Sequence, residues 1–284
     1  MENRFLQLVP LVLFTAMAII AAGLMIGVGW MLLANIYLIG MDRYLLLITA
    51  LTGMGIIISL FHLGRKERLL RAILGIRHSW LSKEVLFAGF FTVTTGGVFI
   101  LMNTGQGSNL IDLTIAAALI SAMIMTWTIG MVYNLSGRFT WEGLPYAAAP
   151  LVTSFLLGSY WIIFFTKPNA WFESIFFIWW LLDYMMALSR AVTFRKLMMS
   201  KHRFEFPHLI FLTRVGHMTR LILSFFLMMV ILFLSRRIVL FLIIGSIILD
   251  RLCFYTGTVG ISPKAEIAFQ KGERMKEAVN VRIK

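Results

Sequence analysis

Cysteine is almost absent: Cys253 stands alone among 284 residues. One thiol excludes an internal disulfide and any iron–sulfur cluster ligated by this chain's own cysteines. Charge is also scarce, at 14% of residues, with only 13 acidic side chains. No long polar stretch is left over for a separate soluble domain. Histidines number five, at His62, His78, His202, His208 and His217. A membrane haem b needs imidazoles at bilayer depth, usually a pair. All but His62 fall in expected loops or at a helix edge, so the sequence predicts no haem. No His/Cys spacing suits zinc.

What fills the chain instead is hydrocarbon. Hydrophobic residues make up 60%, and the mean hydropathy is +0.86. Repeated apolar runs of about 20 residues are long enough to cross a bilayer as helices. Eight are expected: Leu8–Leu33, Tyr44–Leu63, Glu84–Met102, Leu110–Asn134, Leu144–Thr166, Ala170–Ser189, Met218–Ser235 and Arg237–Gly260. The predicted fold class is therefore an all-α integral membrane protein, a bundle of eight transmembrane helices. It occupies residues 1–262, with a basic cytoplasmic tail over 263–284. The first run exceeds the apolar core of a signal peptide and reads as an uncleaved helix. The sixth contains Glu173 and Asp183, for which a helix-end placement and an inward-facing one are equally open.

A net charge of +13 is compatible with nucleic-acid binding, but the basic residues sit mainly between apolar runs, where they meet headgroups and cytoplasm. Nucleic acid is not an expected partner; a lipid bilayer is. Placing the N-terminus, the loops 64–83, 135–143 and 190–217 and the tail on one side gives that side twenty lysines and arginines, among them Arg65, Arg138, Arg190 and Arg214. The other side has four: Arg43, Lys167, Arg236 and Arg237. This asymmetry predicts cytoplasmic termini. In the 64–83 loop, Leu69, Leu70, Ile73 and Leu74 recur at helical spacing against Arg65, Arg68 and Arg71, a pattern that suits a helix lying in the headgroup plane.

His62 closes the second run and Glu84 opens the third, on the same side. An ionisable group at such depth is costly unless paired or functional. The bland alternatives are a histidine bonded to backbone and a glutamate complementing a helix dipole, with Ser82 as cap. Together the two can hydrogen-bond a quinol and receive its protons. The fourth run ends in Tyr133 and Asn134. The eighth carries Asp250 and Arg251, which should face the bundle and need partners, followed by Phe254 and Tyr255. These ends share one level, so His62, Glu84, Tyr133, Asn134, Arg251 and Tyr255 are the candidate site. Tyr133, Trp141 and Tyr255 also fit as interfacial anchors.

Several blocks resemble the membrane anchor subunit family of dimethyl sulfoxide reductase-type complexes. They are His62-Leu63-Gly64-Arg65, Arg71-Ala72 and Ser79-Trp80-Leu81-Ser82-Lys83-Glu84, then Tyr133 before Trp141, and Arg251 with Phe254-Tyr255. The chain departs from that pattern at Lys66-Glu67, where many members have proline. The resemblance implies a menaquinol-oxidising subunit of anaerobic respiration in a bacterial inner membrane, with the family's quinol-binding histidine and glutamate falling on His62 and Glu84. Its implied partners are an iron–sulfur electron-transfer subunit and a molybdopterin catalytic subunit, so that haem, clusters and molybdenum all lie outside this chain. Two rivals stand beside it: a small-solute transporter, expected to show repeated halves and midplane charges, and a purely structural anchor without a quinol site.

Overall fold

The computed structural model describes residues 2–62, 79–105, 107–132, 134, 143–166, 170–199, 207–230 and 235–259. Among them every regular element is helical: α1 (Glu2–Leu33), α2 (Met41–His62), α3 (Trp80–Thr104), α4 (Ser108–Val132), α5 (Leu144–Ala147), α6 (Ala149–Phe165), α7 (Ala170–Met199), α8 (Pro207–Val230) and α9 (Arg236–Val259). Six, namely α1, α2, α3, α4, α7 and α9, are long and apolar enough to cross a membrane, and α6 is apolar but only 17 residues long. The segments 63–78 and 260–284, including the expected in-plane helix and the tail, lie outside the described residues.

Several helix limits differ from the hydropathy reading, each for a local reason. The expected fifth span breaks at Ala148, because Pro145 and Pro150 each sit in the first turn of a new helix. Proline lacks the amide that a continuous helix would need there. Helix α3 starts at Trp80, capped by Ser79, whose Oγ accepts from the Ser82 amide at 3.4 Å. Ser82 is thus inside the helix and is not its cap. Helix α7 continues ten residues past Ser189, to Met199, and α8 begins at Pro207, ahead of Met218. Arg190 and Arg214, read from sequence as loop residues, are therefore helical.

Packing arranges the long helices as two rings of four. In the first, α1 packs on α2, α2 on α3, α3 on α4 and α4 back on α1. In the second, α6 packs on α7, α7 on α8, α8 on α9 and α9 back on α6. Helix α1 joins the rings by packing on both α6 and α9, and α4 also reaches α6. The two rings share the same order of packing along the chain.

Small residues make the seam possible. A methyl at Gly23 would stand 2.8 Å from Leu157 Cβ, and one at Gly158 would stand 2.9 Å from the Gly23 carbonyl oxygen. Gly27 meets Trp161 Cβ at the same 2.8 Å. Backbones this close are the usual device where lipid gives helices no hydrophobic reason to associate. Other span glycines are looser: Gly53 has nothing within 4 Å of its Cβ position, and Gly97 only Thr114 at 3.4 Å.

Candidate functional site

Hydrogen bonds between helices fix which ends lie together. Thr49 of α2 donates to Thr95 of α3 at 3.2 Å. Thirteen residues on from Thr49, and eleven back from Thr95, the antiparallel pair reaches His62 and Glu84, each roughly 16–20 Å along its helix. They arrive at the same end, at nearly the same level. Thr94 and Ser121, 3.3 Å apart, tie α4 into this register, which brings Asn134 to that end as well.

Glu84 is 2% exposed. It is the fifth residue of α3, beyond the first turn, where a helix dipole has little effect on a carboxylate. Among the described residues no cation pairs with it and no donor reaches it. The dipole explanation for this carboxyl thus loses its geometric basis. His62 is the last residue of α2; its side chain, like all of Tyr133, Arg138 and Trp141, lies outside the described residues. Asn134 is half-buried, and its Oδ1 accepts from the Gly143 amide at 3.0 Å, closing the connection into α5.

The second ring contains a buried ionic network. Asp250 of α9 accepts from Arg190 Nη1 of α7 at 3.1 Å through Oδ2, and Arg190 Nη2 lies 2.9 Å from Oδ1 as an ion pair. It also pairs at short range with Arg220 of α8 and with the adjacent Arg251. Arg220 extends its other amino group to both oxygens of Asp183, at 3.0 and 3.1 Å, and Thr153 of α6 donates to Asp183 at 2.7 Å. All five charged residues are at most 3% exposed. Three guanidiniums share two carboxylates, so the cluster carries a surplus positive charge. Arg251 also faces the Phe254 ring, 5.1 Å from its centroid, and Arg190 lies 6.0 Å from the ring of Tyr146. Two cavities of about 10 Å³, near the size of one water, lie against the network, one beside Arg190, His217 and Asp250, the other beside Asp183, Ser224 and Ser246.

The sequence-based expectation that Asp250 and Arg251 face inward and find partners holds. The partners themselves were missed. Arg190 was counted with a loop, and Arg220 lay unremarked two residues inside an apolar run. Asp183 turns inward at the middle of α7, whereas Glu173 is exposed in its first turn. The seven-residue spacing of Asp183 and Arg190, two turns on one helix face, was the available signal.

Tyr255 is 1% exposed and packs with Val12 of α1, Tyr146 of α5 and Phe254. The candidate residues therefore fall into two groups. His62, Glu84 and Asn134 belong to the first ring, and Arg251 and Tyr255 to the second. No described contact joins Glu84 to Arg251 or Tyr255; helix α1 packs against both α2 and α9.

Long apolar helices bearing outward side chains such as Val93, Leu113 and Phe241, each about two-thirds exposed or more, define a multi-pass membrane protein of all-α class. Within that class the chain belongs to the DMSO reductase anchor subunit (DmsC) family, whose sequence profile matches residues 1–256. It is accordingly a membrane anchor subunit of a DMSO reductase-type complex, a role that implies catalytic partner subunits and a bilayer. No curated protein matches the chain.

Proposed function

We propose that this anchor oxidises menaquinol at the end of the first ring where α2 and α3 meet, and passes the electrons to an iron–sulfur subunit that serves a molybdopterin catalytic subunit. The observation that carries the reading is Glu84: a carboxyl 2% exposed, without a described partner and past the reach of the helix dipole. Burying such a group has a cost, and nothing among the described residues repays it. A proton acceptor for quinol repays it in function.

Oxidation of quinol to quinone releases two electrons and two protons. His62 and Glu84 hydrogen-bond the two-electron donor and take up its protons. The surplus charge of the Arg190–Arg220–Arg251 network favours negative charge nearby as the hydroxyls ionise, and Tyr255 and Asn134 shape the approach between the rings. With one cysteine in the chain, electrons pass directly to a partner's cluster, so that partner docks at this same end. All eight long helices span the bacterial inner membrane in this reading. Their even number returns both termini to one side, the cytoplasmic side by the lysine and arginine count.

The two-ring architecture and the depth of Asp183 are features a transporter would also show; membership of the anchor family favours the anchor. Binding of a fluorescent quinone analogue to the purified complex tests the site. Wild-type complex should bind it, and His62→Ala and Glu84→Gln should weaken binding with the subunits still assembled. Undiminished binding in both variants would leave a structural anchor instead.

A further inference from the structure

An apolar cavity of about 260 Å³ lies at the seam of the two rings, in the half of the bundle away from Glu84. Helices α1 and α4 contribute Trp30, Leu119 and Met123; α6 and α7 contribute Phe155, Ser159 and Trp179. The walls are held by ring contacts. Phe155 stacks on Trp179 at 4.5 Å, and Trp30 meets Phe172 edge-on at 5.0 Å. Ser159 brings the one hydroxyl, and it is spent on the Leu156 carbonyl at 2.9 Å.

This volume exceeds the roughly 150 Å³ at which an engineered apolar cavity stays dry and takes up benzene. Besides the Ser159 hydroxyl the lining offers only the indole N–H groups of Trp30 and Trp179, too few polar partners to hold a body of water. Left empty, the lining side chains would forfeit dispersion contacts, at a cost that grows with volume. The cavity is continuous with the lipid-facing surface, for Trp30 at its rim is 38% exposed and Ile120, next to Leu119, is 53% exposed. The fluid that meets this opening is hydrocarbon chain.

Charge at the same end selects among lipids. The four lining helices carry two exposed carboxylates there, Asp112 two turns before Leu119 and Glu173 next to Phe172. The described lysine and arginines of α7, and Arg4 of α1, all lie toward the opposite end. Arg236 of α9 is also exposed at this end, donating to the Ile163, Phe164 and Thr166 carbonyls where α6 stops, just past Ile162 of the lining. A headgroup carrying both signs matches this rim, its ammonium toward the two carboxylates and its phosphate toward Arg236.

We propose that the cavity is a lipid site, holding an acyl chain of a zwitterionic phospholipid from the leaflet opposite the Glu84 end, with the headgroup amine toward Asp112 and Glu173. The lipid acts as a wedge that fills the seam between the rings. This does not rest on the quinol reading, and its test does not use quinol.

The experiment is lipid mass spectrometry on the intact complex after exhaustive detergent exchange, calibrated with phosphatidylethanolamine and phosphatidylglycerol. Wild-type complex should retain phosphatidylethanolamine in preference to phosphatidylglycerol. Ser159→Phe, which places a ring in the cavity, should lower retention several-fold with the subunits still assembled. Asp112→Lys with Glu173→Lys, at exposed positions where folding is not at stake, should reverse the headgroup preference. Equal retention in Ser159→Phe would overturn the proposal. So would an unchanged headgroup preference in the double variant, or an isoprenoid quinone as the retained molecule.

Discussion

Asp250 is the residue on which the second ring's charges depend, and its loss should have a sign and size that differ from the loss of its neighbour. Its carboxylate serves Arg190, Arg220 and Arg251. Asp250→Asn keeps the shape but leaves Asp183 as the single carboxylate among three buried guanidiniums. Breaking one buried pair costs about 3–5 kcal/mol, and here three cations lose a partner at once, so that figure is a lower bound. Against a total stability of about 5–15 kcal/mol, this opens the ring. Arg251→Met does the reverse: it leaves two arginines facing two aspartates, and the change should stay within about 1 kcal/mol of wild type. Cys253 supplies the assay. It is 3% exposed, one turn from Asp250, with its sulfur packed where a methyl on Gly216 of α8 would have to go. Maleimide labelling of this chain, followed by mass, reports opening between α8 and α9. Asp250→Asn should label at least about 100-fold faster, taking tenfold for each 1.4 kcal/mol, and Arg251→Met close to the wild-type rate. If Asp250→Asn labelled at the wild-type rate, or Arg251→Met as fast as Asp250→Asn, the charge-balance reasoning would be wrong.

Other consequences are simpler. Gly23→Leu should force the seam apart and destabilise the protein by about 1–3 kcal/mol, whereas Gly53→Ala, with open space at its Cβ position, should be neutral or raise stability by up to about 1 kcal/mol through helix propensity; thermal inactivation of the complex compares them. Trp180→Phe removes a bond from the indole to the Ser224 carbonyl, 2.9 Å long and buried, and should cost about 1–3 kcal/mol in the same assay. Reporter fusions at the two ends of the chain should become active on the same side of the membrane, as eight spans require; opposite sides would remove one span from the count.

Much of the fold was readable because apolar length is nearly sufficient to define a membrane helix. Runs such as Leu8–Leu33 and Leu110–Asn134 recur as α1 and α4 with only their ends adjusted. Hydropathy fails where polar residues lie inside the bundle, for it scores the buried Arg190 and the half-buried His217 as water-seeking. It consequently cut α7 short and began α8 late. The network that buries Arg190 and Arg220 depends on partners 30–60 positions away, which no local pattern encodes. The break at Ala148 was legible in Pro145 and Pro150 and was passed over because the surrounding run stayed apolar. Of the site, Glu84 was legible as an acid at a helix start. Its burial, its position beyond the first turn and its separation from Arg251 by ring membership came only with the packing.

The central claim is that electrons enter through this chain at Glu84 and His62. The most direct measurement compares two routes into the same assembled complex: turnover driven by menaquinol, which must use the anchor, and turnover driven by a soluble dye that reduces the partner subunits. Glu84→Gln and His62→Ala should each lower the quinol-driven rate by about 100-fold or more, the scale of a lost proton acceptor, and leave the dye-driven rate unchanged. Quinol-driven turnover at the wild-type rate in both variants would contradict the account.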